Sequence, residues 1–272
     1  MEDKVIRRKR KLIALCVVLF ISVGLTAFFA VSLTLEIHTM QSGQIFYNDL
    51  YVDIISRSVQ KVPVVGNPVN NESTITEVID FFEAHVPSID FVSMRATLPD
   101  LVAWIQSNNT IINYPVVHGS DNDFYLSHLP DTSKNKMGSI FLDYRNLPDF
   151  SDKNIIIYGH NMASGDLFGS LKNYSSQSYF EQHNSMFLFT PTADYELLLF
   201  AGYILDSLYE VPPMNFNDLV DFERYISEIR NRSVFKSEVE VSFDDQIVFL
   251  CTCTPSGSKS ERLIIVCKLA SI

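Results

Sequence analysis

"IVFLCTCTPSGSKSERLIIVCKL", residues 247–269, holds three of the four cysteines in the chain. Two apolar runs, residues 246–252 and 262–269, flank a loop of Pro, Gly and Ser, the pattern of two strands joined by a turn. If the strands are adjacent and antiparallel, Arg262 returns beside Cys253. Outward from this pair, short β-like runs recur at residues 101–105, 110–117, 138–144, 154–160, 186–190 and 195–205. Eight such strands, with helical stretches at 166–174 and 216–231, predict a mostly β barrel or sandwich with peripheral helices.

The cysteines admit four readings. Cys251 and Cys253 lie about 7 Å apart on one strand, whereas a disulfide wants Cα atoms nearer about 5.5 Å. Cys267 could pair with either across neighbouring strands. Structural zinc wants a second close pair of ligands, and Cys267 stands alone with no H-x₃₋₅-H after it. Burial as a small apolar residue fits Cys267 inside "LIIVCKL" and fits Cys251 in part. It fits Cys253 least, because that residue sits where a strand meets an open loop.

A thiol nucleophile needs a base or cation beside it. "IIIYGHNMASGDLFGSL", residues 155–171, offers His160, which also ends an apolar run before a polar loop. Arg262 cannot act as a base, since its pKa exceeds about 12, but it can stabilise a developing oxyanion. Cys253, His160 and Arg262 therefore form a candidate catalytic set. The settings of His38, His85, His118, His128 and His183 suggest surface or core residues.

Of 272 residues, 47% are apolar and 12% aromatic, enough for a real core. Residues 1–11 carry six Lys/Arg and two acids; beyond them stand 15 basic and 30 acidic residues. An acidic body argues against nucleic acid as a partner. Residues 12–35 contain no charge, and about 20 apolar residues suffice to cross a bilayer. The basic cluster before them predicts a cytoplasmic N-terminus and an extracellular body. The run exceeds a signal-peptide core of about 7–15 residues, and no A-x-A site follows, so an uncleaved single-pass anchor is expected. The expected organisation is a basic tail (1–11), a transmembrane anchor (12–35), membrane-proximal helices and linker (36–87) and a catalytic barrel (88–272). Within 36–87, residues 45–60 read as a helix, 62–73 as a linker, and 74–85 as a second helix opened by a Thr-x-x-Glu capping box.

These motifs together resemble the sortases. "FLCTC" followed by an Arg-bearing strand is similar to the sortase TLxTC signature. "IIYGHNM…LFGSLKNY", "TIINYPVVHGSDNDFYL" and "GSIFLDYRN" resemble class B members, over roughly residues 98–269. The resemblance implies an eight-stranded sortase β-barrel with N-terminal helices and an extra helix, 216–231, before the cysteine strand. It implies a thioacyl-enzyme on Cys253, protonated His160 as general acid and Arg262 at the oxyanion. By matching position, Asn122, Leu126, Tyr158, Cys251, Thr252 and Thr254 would line the substrate groove. The implied partners are secreted proteins with a C-terminal sorting signal, an amine acceptor (a peptidoglycan precursor or a pilin lysine) and the cell membrane. No cofactor is implied, and no EF-hand-like loop suggests calcium. Phe249 stands where the signature has Thr, and the loop after Cys253 carries no acid before Glu261. The competing readings are a pilin polymerase, a thiol hydrolase using the same dyad, and an inactive tethered binding module.

Overall fold

The structure is a computed structural model that describes residues 2–60, 89–206, 212–253 and 261–272. The linker expected at 62–73, the helix expected at 74–85 and the loop holding Thr254 lie outside the described residues. The chain divides into two units, Met1–Ile45 and Phe46–Ile272.

Helix α1 (Glu2–Gln60) joins two stretches that the sequence reads separately, the apolar run and residues 45–60. Nothing between them stops a helix: "EIHTMQSGQ", residues 36–44, has no proline and a single glycine. In the first unit, large apolar side chains point outward all round, among them Phe20, Phe28 and Phe29. A helix apolar on every face is one that an apolar environment, a protein core or a membrane, would cover. This is the one helix among the described residues long and apolar enough to cross a membrane, which is compatible with a single-pass anchor. The 24 uncharged residues span about 36 Å at the helical rise.

The second unit is a closed barrel. Its strands are β1 (Leu101–Gln106), β2 (Asn113–His118), β3 (Ile140–Leu142), β4 (Asn154–Tyr158), β5 (Ser185–Phe189), β6 (Asp194–Asp206), β7 (Ile247–Cys253) and β8 (Glu261–Ser271). They close in the order β1-β2-β3-β4-β7-β8-β6-β5. The pairs β2–β3 and β4–β7 are parallel; the others are antiparallel. Parallel neighbours cannot be joined by a tight hairpin. The long connections this requires, 119–139 and 159–246, carry much of the groove described below.

Alternation along each strand makes two cores. Ile155, Ile157, Val248, Leu250, Ile265 and Cys267 point into the barrel. Ile156, Tyr158, Phe249, Cys251, Ile264 and Val266 point out of it. The outer set is buried as well, because helix α4 (Leu219–Arg232) covers it with Phe222, Ile226 and Ile229. Both faces being covered explains the unbroken apolar runs of β4 and β7. Asp218 caps α4 by accepting from the Asp221 amide at 2.8 Å, and Arg230 and Arg232 fall in its last turn, where cations suit the dipole. Among the described residues the two remaining α-helices are short, α2 (Phe91–Met94) and α3 (Gln177–Gln182).

From α1, Tyr47 and Ile54 are buried in this unit. Tyr47 packs edge-on against Tyr114 at 5.2 Å and donates its hydroxyl to the Gly138 carbonyl at 2.7 Å.

Two local expectations shift. Residues 138–144 read as one strand, but β3 keeps only Ile140–Leu142. Gly138 is left-handed at φ +66, and Asp143 turns the chain. The stretch 166–174 is a 3₁₀ segment at Gly169–Ser175, entered through Leu167 at φ 52.

Candidate active site

Register decides which residues meet. On β4 and β7, Tyr158 pairs with Cys251, and the Gly159 amide donates to the Cys251 carbonyl at 3.1 Å. His160 is two residues beyond Tyr158, and Cys253 two beyond Cys251, so the parallel strands carry both to the same barrel edge. On the other side, Cys253 is the Cα partner of Arg262 across β7 and β8. The strand order β4-β7-β8 thus sets His160, Cys253 and Arg262 side by side in backbone position.

A groove of about 400 Å³ opens at this edge. It is lined by Asn122, Leu126, Tyr158, His160, Cys251, Thr252 and Arg262, all expected from the sequence. Asp123, Phe141, Arg145 and Gly159 also line it, and the sequence did not single them out. The Asp-x-Arg spacing at the end of an apolar run, residues 143–145, was the available signal, since a carboxylate and a guanidinium two apart on a turn can pair with both prongs.

The two charged or titratable side chains at the mouth, His160 and Arg262, are held by identifiable contacts. The His160 Nε2 lies 2.7 Å from the Leu126 carbonyl. A carbonyl only accepts, so Nε2 carries the hydrogen, and Nδ1 is left to exchange protons. Beyond the imidazole, Asn161 bridges Leu167, and the Phe168 amide donates to the His160 carbonyl at 3.1 Å, pinning the loop. Gly138 faces this corner: a Cβ there would sit 2.9 Å from the Leu126 oxygen and 3.0 Å from His160 Cδ2. The Arg262 guanidinium lies over the Tyr158 ring, 5.4 Å from its centroid, a cation–π arrangement.

Electrostatics treat the two buried barrel cysteines alike. Burial pushes the Cys251 thiol well up; Arg262 opposes this and Asp143 adds to it. Burial alone pushes Cys267 up. Both are free thiols, buried, and stay protonated near neutrality, which makes them poor nucleophiles. Burial also raises the Tyr158 phenol, reinforced by Cys251 and Asp143 and opposed by Arg262. For Asp143 burial pulls upward, but hydrogen bonds from Arg145 and Asn122 outweigh it and hold the carboxyl below its ordinary range. Among the described residues, no group of three His, Cys, Asp or Glu could hold a metal ion.

The comparisons agree with one another. The Sortase domain family matches residues 105–270. Sortase B of Listeria monocytogenes serovar 1/2a is 37% identical over 173 residues, covering 63% of this chain and 70% of its own length. The solved Staphylococcus aureus sortase B–substrate complex superposes with TM-score 0.64 at 28% identity, covering 74% of this chain and 93% of that one. A sortase B complexed with triglycine gives TM-score 0.62 at 28% identity, with coverage of 74% and 94%.

Proposed function

The chain belongs to the sortase family of cysteine transpeptidases, as a class B member, and from that premise we propose that it cuts a C-terminal sorting signal and passes the new acyl end to an amine. The observation that supports this reading is the β7–β8 register pairing Cys253 with Arg262, beside a groove that His160 and Arg262 both line.

The chemistry balances without an oxidant or cofactor. The Cys253 thiolate attacks the carbonyl carbon of the scissile peptide bond; a C–S bond forms and the oxygen becomes an oxyanion. Arg262 lies where it can receive that charge. Collapse breaks the C–N bond, and the leaving amine takes a proton from His160, at Nδ1 by the hydrogen bonding of Nε2. An incoming amine then attacks the thioester, returns a proton to the imidazole and expels the thiolate. Asn122, Leu126, Tyr158, Cys251, Thr252 and Thr254 are the groove residues for the peptide. That a related sortase B was solved with substrate and another with triglycine supports a peptide donor and an amine acceptor here.

The domain plan that follows is a basic cytoplasmic tail (1–11), an anchor (12–35), membrane-proximal residues (36–87) and an extracellular barrel (88–272). The acyl group is joined to a cell-wall amine in the main reading. The test is to incubate the full chain in detergent micelles with a panel of sorting-signal peptides, with and without triglycine. Cleavage and a new triglycine-linked product are expected, and Cys253→Ala should abolish both. Cleavage that yields only the free acid with triglycine present would make the chain a hydrolase.

A further inference from the structure

Asp143 directly follows β3, has 0% of its surface exposed, and yet carries a charge. Five donors among the described residues surround it. Its Oδ1 accepts from the Arg145 amide at 3.0 Å and from Arg145 Nε at 2.8 Å. Its Oδ2 accepts from Arg145 Nη2 at 2.7 Å, Asn122 Nδ2 at 3.1 Å and the Tyr158 hydroxyl at 3.1 Å. Only the carboxylate is buried, the Arg145 side chain being 37% exposed, so screening and desolvation leave the pair little net stability. It is a good way to fix orientation, because a two-pronged guanidinium–carboxylate pair tolerates little displacement.

What it orients follows from the donors. Asn122, Arg145 and Tyr158 all line the groove. Tyr158 is tethered through its hydroxyl, and its ring lies beneath the Arg262 guanidinium. Asn122 also accepts from the Tyr144 amide at 3.0 Å, so it clasps the Asp143 turn with both ends of its amide. Four residues after Asn122 comes Leu126, whose carbonyl takes the His160 Nε2 hydrogen. One buried carboxylate is therefore linked by short paths to both groups that flank Cys253.

We propose that Asp143 is a positioning residue for the transpeptidation, fixing Arg262 through Tyr158 and His160 through the segment that begins at Asn122. Asp143 touches no reacting atom. This inference rests on the transpeptidase reading for its rate effects but not for its geometry.

The test uses the full chain in detergent micelles and a cycle of Asp143→Asn, Arg262→Ala and the double variant. Tyr158→Phe keeps the ring, removes the tether and serves if Asp143→Asn fails to fold. Melting curves establish folding for each. Two readouts are taken. The first is kcat and KM on a cleaved sorting-signal peptide. The second is the rate of Cys253 alkylation by iodoacetamide against pH, mapped by mass spectrometry. Misplacing groups by about an ångström can cost about 100-fold. In the wild-type background, Asp143→Asn is expected to lower kcat about 10- to 100-fold with KM within about twofold. It is also expected to raise the alkylation midpoint, because a displaced guanidinium stabilises the thiolate less. In the Arg262→Ala background the midpoint shift should shrink to a small fraction, and the kcat effect should shrink to the part exerted through His160. A folded Asp143→Asn or Tyr158→Phe variant with wild-type kcat and midpoint would overturn the proposal, as would effects that combine in full with those of Arg262→Ala. If no peptide is cleaved by the wild type, the transpeptidase reading fails and the alkylation series alone decides the role of Asp143.

Discussion

Cys253 and Arg262 are Cα partners across the antiparallel pair β7–β8, nine residues apart in sequence and joined by a loop rich in Ser, Pro and Gly. The residues bearing the proposed sulfur nucleophile and the cation are thereby set one strand spacing apart, at about 5 Å. The barrel supplies this arrangement through its ladder and not through the loop, so loop changes should be tolerated better than changes in register.

The first expectation concerns Arg262. Removing one oxyanion donor costs about 100- to 1,000-fold in kcat in comparable sites. Arg262→Ala should lose activity in that range while its melting temperature stays near wild type. Arg262→Lys should fall between, since an ammonium keeps the charge but lacks the planar face that lies over Tyr158. Peptide-cleavage kinetics check the order; a lysine variant as active as wild type would leave the guanidinium without a specific role.

The second concerns Gly138. Its φ of +66 is costly for any side chain, by about 1–2 kcal/mol. A Cβ would also sit 2.7 Å from the Tyr125 oxygen, 2.9 Å from the Leu126 oxygen and 3.0 Å from the His160 ring. Gly138→Ala should therefore lower the urea midpoint and slow cleavage together. Unchanged values for both would mean that this corner is looser than the packing suggests.

The third is a pH dependence of stability. Asp143 and Asp245 are both held below the ordinary carboxyl range. For Asp143 the hydrogen bonds of Arg145 and Asn122 outweigh burial; for Asp245 those of Ser242 and Lys268 do so, the Lys268 Nζ at 3.0 Å. A depressed folded pKa contributes stability that is complete above the unfolded value, about 3.9, and is lost as pH falls through the folded value. Wild type should thus lose melting temperature steeply below about pH 4. The gap between wild type and Asp143→Asn should narrow over the same span. A gap that stays constant from about pH 7 to about pH 2 would show that the charge of Asp143 contributes nothing.

The fourth separates the neighbouring thiols. Cys251 is buried, with its thiol pushed up by burial. Cys251→Ala should keep kcat within about threefold of wild type, any loss of groove contact falling on KM, and lower stability by about 1 kcal/mol, a common value for a small buried truncation. Loss of cleavage in a folded Cys251→Ala variant would transfer the nucleophile to that position.

What the sequence made legible, and what it hid, follows from how local each signal is. The runs that became β4 and β7 were visible because both faces of the barrel wall are covered, so nearly every position is apolar. Helix α4 was visible through Phe222, Ile226 and Ile229, which fall on one face. The start of β3 was masked by Gly138, which reads as part of "GSIFLDY" but turns left-handed. Continuity of α1 was hidden for the opposite reason: residues 36–44 are polar and look like a break, yet contain nothing that ends a helix. In the groove, the strand-end positions of Cys253, His160 and Arg262 are what made them candidates. Asp143 did not stand out, because its partners Asn122, Arg145 and Tyr158 come from three places in the chain and meet only in the fold.

The most direct test of the transpeptidase account is to trap the intermediate. The full chain is mixed with a cleaved sorting-signal peptide without added amine, quenched in acid, and the adduct is mapped by mass spectrometry. The account expects an acyl adduct with the mass of the N-terminal fragment on Cys253, absent from Cys253→Ala and discharged by triglycine. An adduct on Cys251, or peptide cleavage that survives in Cys253→Ala, would contradict it.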